Sequence, residues 1–132
     1  EMSAIANITV KKTDGTTDTT YTAIAGAPGE GQPAIWQNTT SSLIRGNRSA
    51  LAMQSKMNGT KTARRVDVNA NYVVIRTVAG QETRIGNIPG TFSMPIPEWA
   101  SDAEIAEAVD QFINLLASPH IRTHVKAGAS PT

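Results

Sequence analysis

The basic residues of this chain are concentrated in its middle third, where they suggest chemistry with a polyanion. Residues 45–84 carry eight lysines and arginines against two acidic residues, a balance of +6. Residues 1–44 have a balance of −2 and residues 85–132 a balance of −3, so the whole chain reaches only +1. Because a surface of one sign attracts ligands of the other, the middle third predicts either a polyanion-binding surface or an ordinary solvated basic face.

Patterns for catalysis or metal binding are weak in this sequence. His120 and His124 are the only histidines, and their spacing suits two ligands on one helical face, but no third ligand accompanies them. The acidic residues of 102–110 fit the first turns of a helix better than a catalytic carboxylate pair. The absence of cysteine excludes disulfides, thiolate catalysis and cysteine-ligated zinc. We expect no enzyme activity, no cofactor, no metal site and no small-molecule substrate.

Alternating side chains around the basic residues predict two paired strands. In the predicted strand 62–78, valines alternate with polar and charged residues, which is the period of a strand with one apolar and one polar face. The preceding predicted strand, 47–56, alternates in the same way, and Asn58-Gly59 favours a hairpin turn between the two. We expect an interruption of the second strand near residues 69–71. Its polar side carries Arg65, Asp67 and Asn69.

The order of the predicted elements indicates an α+β fold, with six or seven strands followed by two helices. We expect one domain, residues 1–132. Its parts are an amino-terminal β-hairpin in 1–25 that turns at Asp14-Gly15, a main sheet in 34–99 and two carboxyl-terminal helices in 101–127.

Turn and cap residues set the limits of several elements. Residues 79–89 are rich in glycine and polar residues and predict an exposed loop. Pro95 and Pro97 lack an N–H, so the last strand ends there or lies at a sheet edge. Ser101-Asp102-Ala103-Glu104 is a capping box that opens the first helix. Ser118-Pro119 ends that helix and begins the second.

The predicted helices are too few to cover the apolar face of such a sheet. The first helix has one apolar stripe, formed by Ile105, Val109, Phe112, Ile113 and Leu116, and the second helix is short. We therefore infer an obligate homodimer in which a second copy supplies the cover, with a buried area on the order of 2,000 Å² or more. No apolar run approaches the roughly 20 residues of a membrane span, and residues 1–10 show no signal-peptide pattern.

Several short strings resemble the coat proteins of the small single-stranded RNA bacteriophages, the leviviruses. Ala34-Ile35-Trp36 resembles the strand that opens the main sheet of that family, and Ser93-Met94-Pro95-Ile96 resembles the end of its last strand. Leu115-Leu116-Ala117-Ser118-Pro119 resembles the break between its two helices, and the Asp14-Gly15 hairpin is similarly placed. These strings follow the order of the family near its spacing, and the resemblance covers almost the whole chain.

The resemblance implies a fold with an amino-terminal hairpin, a five-stranded antiparallel sheet and two carboxyl-terminal helices. In that family two chains interlock, the helices of each packing over the sheet of the other, and the combined sheet faces the inside of an icosahedral shell. The function implied is that of a capsid protein that packages the single-stranded RNA genome and also represses replicase translation by binding an RNA hairpin. The implied location is the virion, assembled in the bacterial host cytoplasm.

The resemblance also places RNA binding on the inner face of the middle strands. Carried over by position, the residues expected to contact RNA are Gln54, Lys56, Lys61, Arg65, Asp67 and Asn69. In the best-known branch of the family an aromatic residue of the last strand stacks on a flipped base, but the matching stretch here, Asn87-Ile88-Pro89, has no aromatic side chain. Stacking of this kind contributes about 1–3 kcal/mol per base, so we expect nonspecific packaging, or recognition through another group such as Tyr72. The loop at 79–88 resembles the family's loop around the shell axes.

Two other functions remain open from the sequence. A dimeric RNA-binding regulator that does not assemble would bind RNA hairpins without forming particles. A secreted, β-rich adhesion module would have no affinity for nucleic acid.

Overall fold

A computed structural model describes residues 4–29, 31–60 and 62–132 of the chain. The chain divides into two compact units, Glu1–Pro95 and Ile96–Thr132. The strands are β1 (Ile8–Lys11), β2 (Asp18–Ala25), β3 (Ala34–Gln37), β4 (Ala50–Met57), β5 (Ala63–Val78) and β6 (Gln81–Pro97). A short 3-10 helix, Arg45–Asn47, precedes β4, and the helices α1 (Asp102–Leu116) and α2 (Pro119–Ala127) end the chain.

The six strands form one sheet in chain order, from β1 at one edge to β6 at the other. Each of β1 to β4 pairs antiparallel with the next strand. The predicted α+β fold, with a hairpin, a sheet and two terminal helices, is confirmed. The sheet has six strands instead of five because β2 pairs with both β1 and β3, and the register shifts between Ala23 and Ala25 where the hairpin joins the sheet.

The amino-terminal hairpin turns where the sequence predicts. Gly15 has a φ of 75°, in the left-handed region that glycine adopts without strain. The Asp14 carboxylate accepts hydrogen bonds from the backbone N–H groups of Thr16 (2.9 Å) and Thr17 (2.8 Å) and from the Thr17 hydroxyl. These bonds, above all the one from the Thr17 hydroxyl, lower the pKa of Asp14 to about 2. The turn is therefore stabilised by an ionised aspartate.

The predicted loop at 79–89 is wrong, because β6 begins at Gln81. Only Ala79 and Gly80 form the turn from β5 to β6. Their φ values are 53° and 79°, and a two-residue hairpin of type I′ requires positive φ at both positions. The polar composition of this stretch suggested a loop, but pairing with the long strand β5 supplies the backbone hydrogen bonds that a lone polar segment lacks. The interruption expected near 69–71 is also absent, since β5 is continuous.

The two helices begin and end at the predicted signals. The Ser101 hydroxyl accepts a hydrogen bond from Glu104 N (3.3 Å), and the Glu104 carboxylate accepts one from Ser101 N (2.9 Å), so the capping box is confirmed. Ser118 caps α2, and Gly128 ends it with a φ of 70°. The acidic residues of the first turn of α1 lie at the positive end of the helix dipole.

Very little of the described chain is buried. Trp36 (8% exposed) and Val73 (6% exposed) are the buried hydrophobic residues among those described. The Trp36 indole N–H donates to the Ala6 carbonyl oxygen at 2.7 Å, which ties the segment before β1 to β3. One side of the sheet, here called the apolar face, carries Trp36, Leu51, Met53, Val66 and Val68. Met53, in the middle of this face, is 42% exposed.

Candidate nucleic-acid interface

The pairing of β4 with β5 brings most of the predicted RNA-binding residues to one face. Directly opposed residues of antiparallel strands project to the same side of a sheet. The opposed pairs are Lys56 with Arg65, Gln54 with Asp67, and Ala52 with Asn69. Five predicted residues therefore share what we call the polar face: Gln54, Lys56, Arg65, Asp67 and Asn69. The sixth, Lys61, lies outside the described residues.

Asp67 is the centre of the hydrogen bonds on the polar face. Its Oδ2 accepts from Arg65 Nε at 3.1 Å, and its carboxylate also bonds to the side chains of Ser93 and Gln54. The Asp67 side chain is 13% exposed, whereas that of Arg65 is 64% exposed. The bond from Ser93, with smaller contributions from Arg65 and Gln54, holds the pKa of Asp67 below its ordinary value. Asp67 is therefore an ionised residue that three neighbouring side chains fix in place.

Two cations stand side by side on this face. Lys56 and Arg65 are direct cross-strand partners, and both side chains are exposed. Like charges in this arrangement destabilise an isolated sheet, and Asp67 compensates only one of them. Arg64 lies opposite Met57 and so projects to the other side of the sheet. The polar face has a net positive charge at its β4–β5 end, as phosphate binding requires.

Strand β6 contributes to this face polar residues that were not among those predicted to contact RNA. Asn87 Nδ2 donates to Asn71 Oδ1 at 2.5 Å, and the Thr91 hydroxyl donates to Asn69 Oδ1 at 3.3 Å. With the bond between Ser93 and Asp67, three contacts run across β5 and β6. Residues 87, 91 and 93 are separated by even numbers, so a strand would place them on one face. The sequence did not predict this because residues 79–89 were expected to form a loop.

A shallow depression adjoins this row of contacts. Its volume is about 400 Å³, and its lining includes Ile35, Ala50 and Ala52 beside the amides of Asn69 and Asn71. Small apolar side chains next to amides allow a planar group to approach the sheet closely, with hydrogen-bond donors and acceptors at its rim.

The structure places Tyr72 away from the polar face. Along the continuous strand β5, Tyr72 alternates with Arg65, Asp67 and Asn69, so it projects to the side of Val68. It is 59% exposed there. The nearby Tyr21 has a raised pKa, mainly because of its burial and in part because of Tyr72. Tyr72 therefore lies on the side of the sheet opposite to Arg65, Asp67 and Asn69, and its proposed part in recognising RNA stays a prediction.

Glu82, at the start of β6, forms a separate polar cluster. Its carboxylate accepts from the Ser42 hydroxyl at 2.5 Å and from Asn47 Nδ2 at 2.9 Å. Arg84 Nη1 donates to the Gly46 carbonyl oxygen at 3.2 Å. The bonds from Ser42 and then Asn47 hold the pKa of Glu82 below its ordinary value. These bonds connect the segment before β4 to the turn end of the β5–β6 hairpin.

The histidine pair does not form a larger metal-binding group. The ring centroids of His120 and His124 are 4.8 Å apart in an edge-on arrangement. Among residues 4–29, 31–60 and 62–132, no three histidine, cysteine or acidic residues are grouped so that they could hold a metal ion. Within the same ranges, neither helix has the length and apolar character required to cross a membrane.

Solved phage structures match the chain over nearly its whole length. A virus-like particle of bacteriophage NT-214 matches with a TM-score of 0.83 at 14% identity, covering 98% of this chain and 100% of that one. A virus-like particle of Beihai levi-like virus 21 matches with a TM-score of 0.82 at 18% identity, covering 98% and 99%. The coat protein of bacteriophage EMS014 matches with a TM-score of 0.79 at 15% identity, covering 98% and 100%. The chain has the RNA-phage coat-protein fold.

The coat-protein fold is shared without close sequence similarity. No protein-family model and no curated protein sequence matches the chain. The resemblance drawn from its short strings is confirmed by the structural matches. Within this fold, Asn87 stands in the stretch that the resemblance assigned to the base-stacking position, and its amide bonds to Asn71.

Proposed function

We propose that this chain is the capsid protein of a small RNA bacteriophage, which dimerises, assembles into an icosahedral shell and packages single-stranded RNA. The match in fold to phage coat proteins over nearly the whole chain carries the proposal. The chain then belongs to the virion, assembled in the cytoplasm of its host. Binding of an RNA hairpin, and with it repression of replicase translation, is part of the same proposal and uses the polar face.

The exposed area supports dimerisation. The chain exposes 9738 Å², whereas a compact monomer of its mass exposes about 6,700 Å². Two separate compact bodies of the sizes of its two units would still expose only about 7,900 Å². The excess is comparable with the area that each chain contributes to an obligate dimer.

Apolar side chains on both units need a partner. Met53 on the apolar face is 42% exposed. No residue of α1 or α2 is buried, and Ile113 and Leu116 on α1 are 50% and 45% exposed. The helices of a second copy are the complementary surface that the chain itself offers.

The sheet edge supports the same conclusion. Strand β6 has 17 residues and is the last strand of the sheet. A long unpaired edge exposes a row of N–H and C=O groups that readily pairs with another chain. Only Glu82 and Arg84 carry charge along it, both near its first residues. Pro89, Pro95 and Pro97 lack an N–H, so the uncharged stretches before and between these prolines are the part of β6 available for pairing with β6 of a second copy, which would continue the sheet across the dimer.

The polar face supports RNA packaging. Lys56 and Arg65 offer two cations beside the neutral donors and acceptors of Gln54 and Asn69. Phosphate contacts by such cations release counterions and give sequence-independent affinity. Asparagine side chains also offer paired donors and acceptors for base edges.

Electron microscopy of the recombinant chain, with the ratio of absorbance at 260 and 280 nm for the same fraction, tests the proposal. Uniform icosahedral particles that contain RNA are expected. Dimers that bind an RNA hairpin but form no particles would favour the regulator instead. Small species without nucleic acid under assembly conditions would contradict the proposal and favour the adhesion module.

A further inference from the structure

The cross-strand pair of Lys56 and Arg65 requires a physical explanation. Side chains directly opposed in an antiparallel pair have Cβ atoms about 5 Å apart. Two cationic side chains that begin this close repel each other, and the cost falls when an anion lies between their charged ends. Asp67 is not placed between them, because it lies two residues along β5 from Arg65 and opposite Gln54. Asp67 therefore does not bridge the two cations, and an external anion could bind both.

Asp67 is held too firmly to act as a mobile counterion. The carboxylate bonds to Arg65 on its own strand, to Gln54 on β4 and to Ser93 on β6. Its side chain is 13% exposed, so most of its surface faces protein atoms. Because its neighbours lie on three strands, the Asp67 carboxylate can hold the side chain that it binds in one direction. That group is the Arg65 side chain, through Nε at 3.1 Å.

The contact through Nε leaves the terminal guanidinium nitrogens of Arg65 for a ligand. Arginine presents its donors in a rigid planar fork that suits two oxygens of a phosphate, whereas lysine provides a flexible point charge. Fixing Nε removes the rotational freedom that an exposed arginine otherwise loses on binding. The Arg65 side chain is 64% exposed, so its terminal end is accessible.

We propose that Lys56 and Arg65 together bind a single phosphodiester group of single-stranded RNA, and that Asp67 is a positioning residue that aims Arg65 at that phosphate. The inference rests on the proposed packaging function and assigns distinct roles within its polar face. Asp67, an anion on an RNA-binding surface, then strengthens the binding of a polyanion by acting through Arg65.

A double-mutant cycle tests the positioning role of Asp67. The full chain carrying Asp67→Ala, Arg65→Ala or both is titrated with a short unstructured single-stranded RNA at fixed salt. In the presence of Arg65, Asp67→Ala is expected to weaken binding by about threefold or more, as coupled neighbouring residues do. In the Arg65→Ala background the same change is expected to strengthen binding by about twofold, because only the repulsion of phosphate by Asp67 is removed.

The sign of the coupling decides the outcome. Stronger binding in both backgrounds would show that Asp67 only repels RNA, and equal weakening in both would show a structural role that does not act through Arg65. Either result overturns the assignment. Asp18→Ala is the matched control, since it breaks the Lys11–Asp18 ion pair (2.6 Å) in the first hairpin and is expected to leave RNA affinity unchanged. If Asp67→Ala does not fold, Asp67→Asn replaces it. The change in RNA affinity caused by Asp67→Asn must then be less favourable in the presence of Arg65 than in the Arg65→Ala background.

The salt dependence of binding tests the shared phosphate. For single-stranded RNA, each neutralised phosphate adds about 0.7 to the slope of log affinity against log salt. If Lys56 and Arg65 share one phosphate, the double variant Lys56→Ala/Arg65→Ala loses about 0.7 of the slope. A loss of about 1.4 would show two separate phosphates and would overturn the shared site. If the unmodified chain binds no RNA, the packaging function itself fails, whereas normal binding with zero coupling in the cycle contradicts only the role of Asp67.

Discussion

The two faces of the β4–β5 pair differ in how their side chains are satisfied. On the polar face, Asp67 is bonded from three strands, and Asn69 and Asn71 are bonded from β6. On the apolar face, Met53 is 42% exposed, and across the described residues only Trp36 and Val73 are buried hydrophobic residues. The chain thus completes its polar contacts by itself but leaves its apolar contacts incomplete.

This difference separates two steps of assembly. Burial of apolar area is the main source of stability in obligate interfaces, so we assign association in the proposed dimer to the apolar face. The polar face is already organised in a single chain, and its two neighbouring cations require an anion instead of a protein surface. Variants on the two faces are therefore expected to affect dimerisation and RNA binding independently.

The largest expected effect comes from a charge on the apolar face. Met53→Asp places a carboxylate on a surface that the proposed dimer buries, and an unpaired buried charge costs about 3–5 kcal/mol. Size-exclusion chromatography with light scattering is expected to show loss of the dimer. Gln54→Asp is the matched control, because it adds the same charge one residue along β4 but on the other face. It is expected to keep the dimer and weaken RNA binding. Monomers from both variants would contradict the separation of the faces.

A smaller effect is expected at the buried part of the apolar face. Trp36→Phe keeps an aromatic side chain but removes the hydrogen bond from the indole N–H to the Ala6 carbonyl oxygen. The free energy of unfolding is expected to fall by about 1 kcal/mol, measured by urea denaturation at one protein concentration. Trp99→Phe, at a residue that is 82% exposed, makes the same substitution outside any described core. A larger loss from Trp99→Phe than from Trp36→Phe would show that the 2.7 Å bond contributes little.

Sequence patterns predicted the features that depend on neighbouring residues. The capping box at Ser101, the Asp14-Gly15 turn and the polar side of β5 each follow from residues within a few positions of one another. The β5–β6 hairpin was missed, because its polar first half gains order only from pairing with β5. The bond between Ser42 and Glu82 spans 40 residues of sequence. No local pattern in one sequence identifies such a contact, nor the amides that β6 adds to the polar face.

The smallest expected effect concerns pH and the Glu82 cluster, which like the polar face is satisfied within the chain. The hydrogen bonds from Ser42 and Asn47 favour the ionised carboxylate and lower its pKa below the ordinary 4.5. A lowered pKa in the folded state means that its contribution to stability is fully present at neutral pH. That contribution is lost as the pH falls below 4.5 and through the folded-state pKa.

Thermal unfolding of the unmodified chain and of Glu82→Gln across this range measures the contribution, since glutamine keeps an acceptor but does not titrate. The difference between the two is expected to shrink on acidification. Asp14, Asp67 and Glu104 also have lowered pKa values and titrate in both proteins, so their effects cancel in the difference. Parallel curves at every pH would show that the charge on Glu82 contributes nothing, and that only its hydrogen-bond geometry fastens the segment before β4 to the β5–β6 hairpin. The Met53→Asp defect in dimerisation is expected to weaken in acid, as the introduced carboxylate becomes neutral.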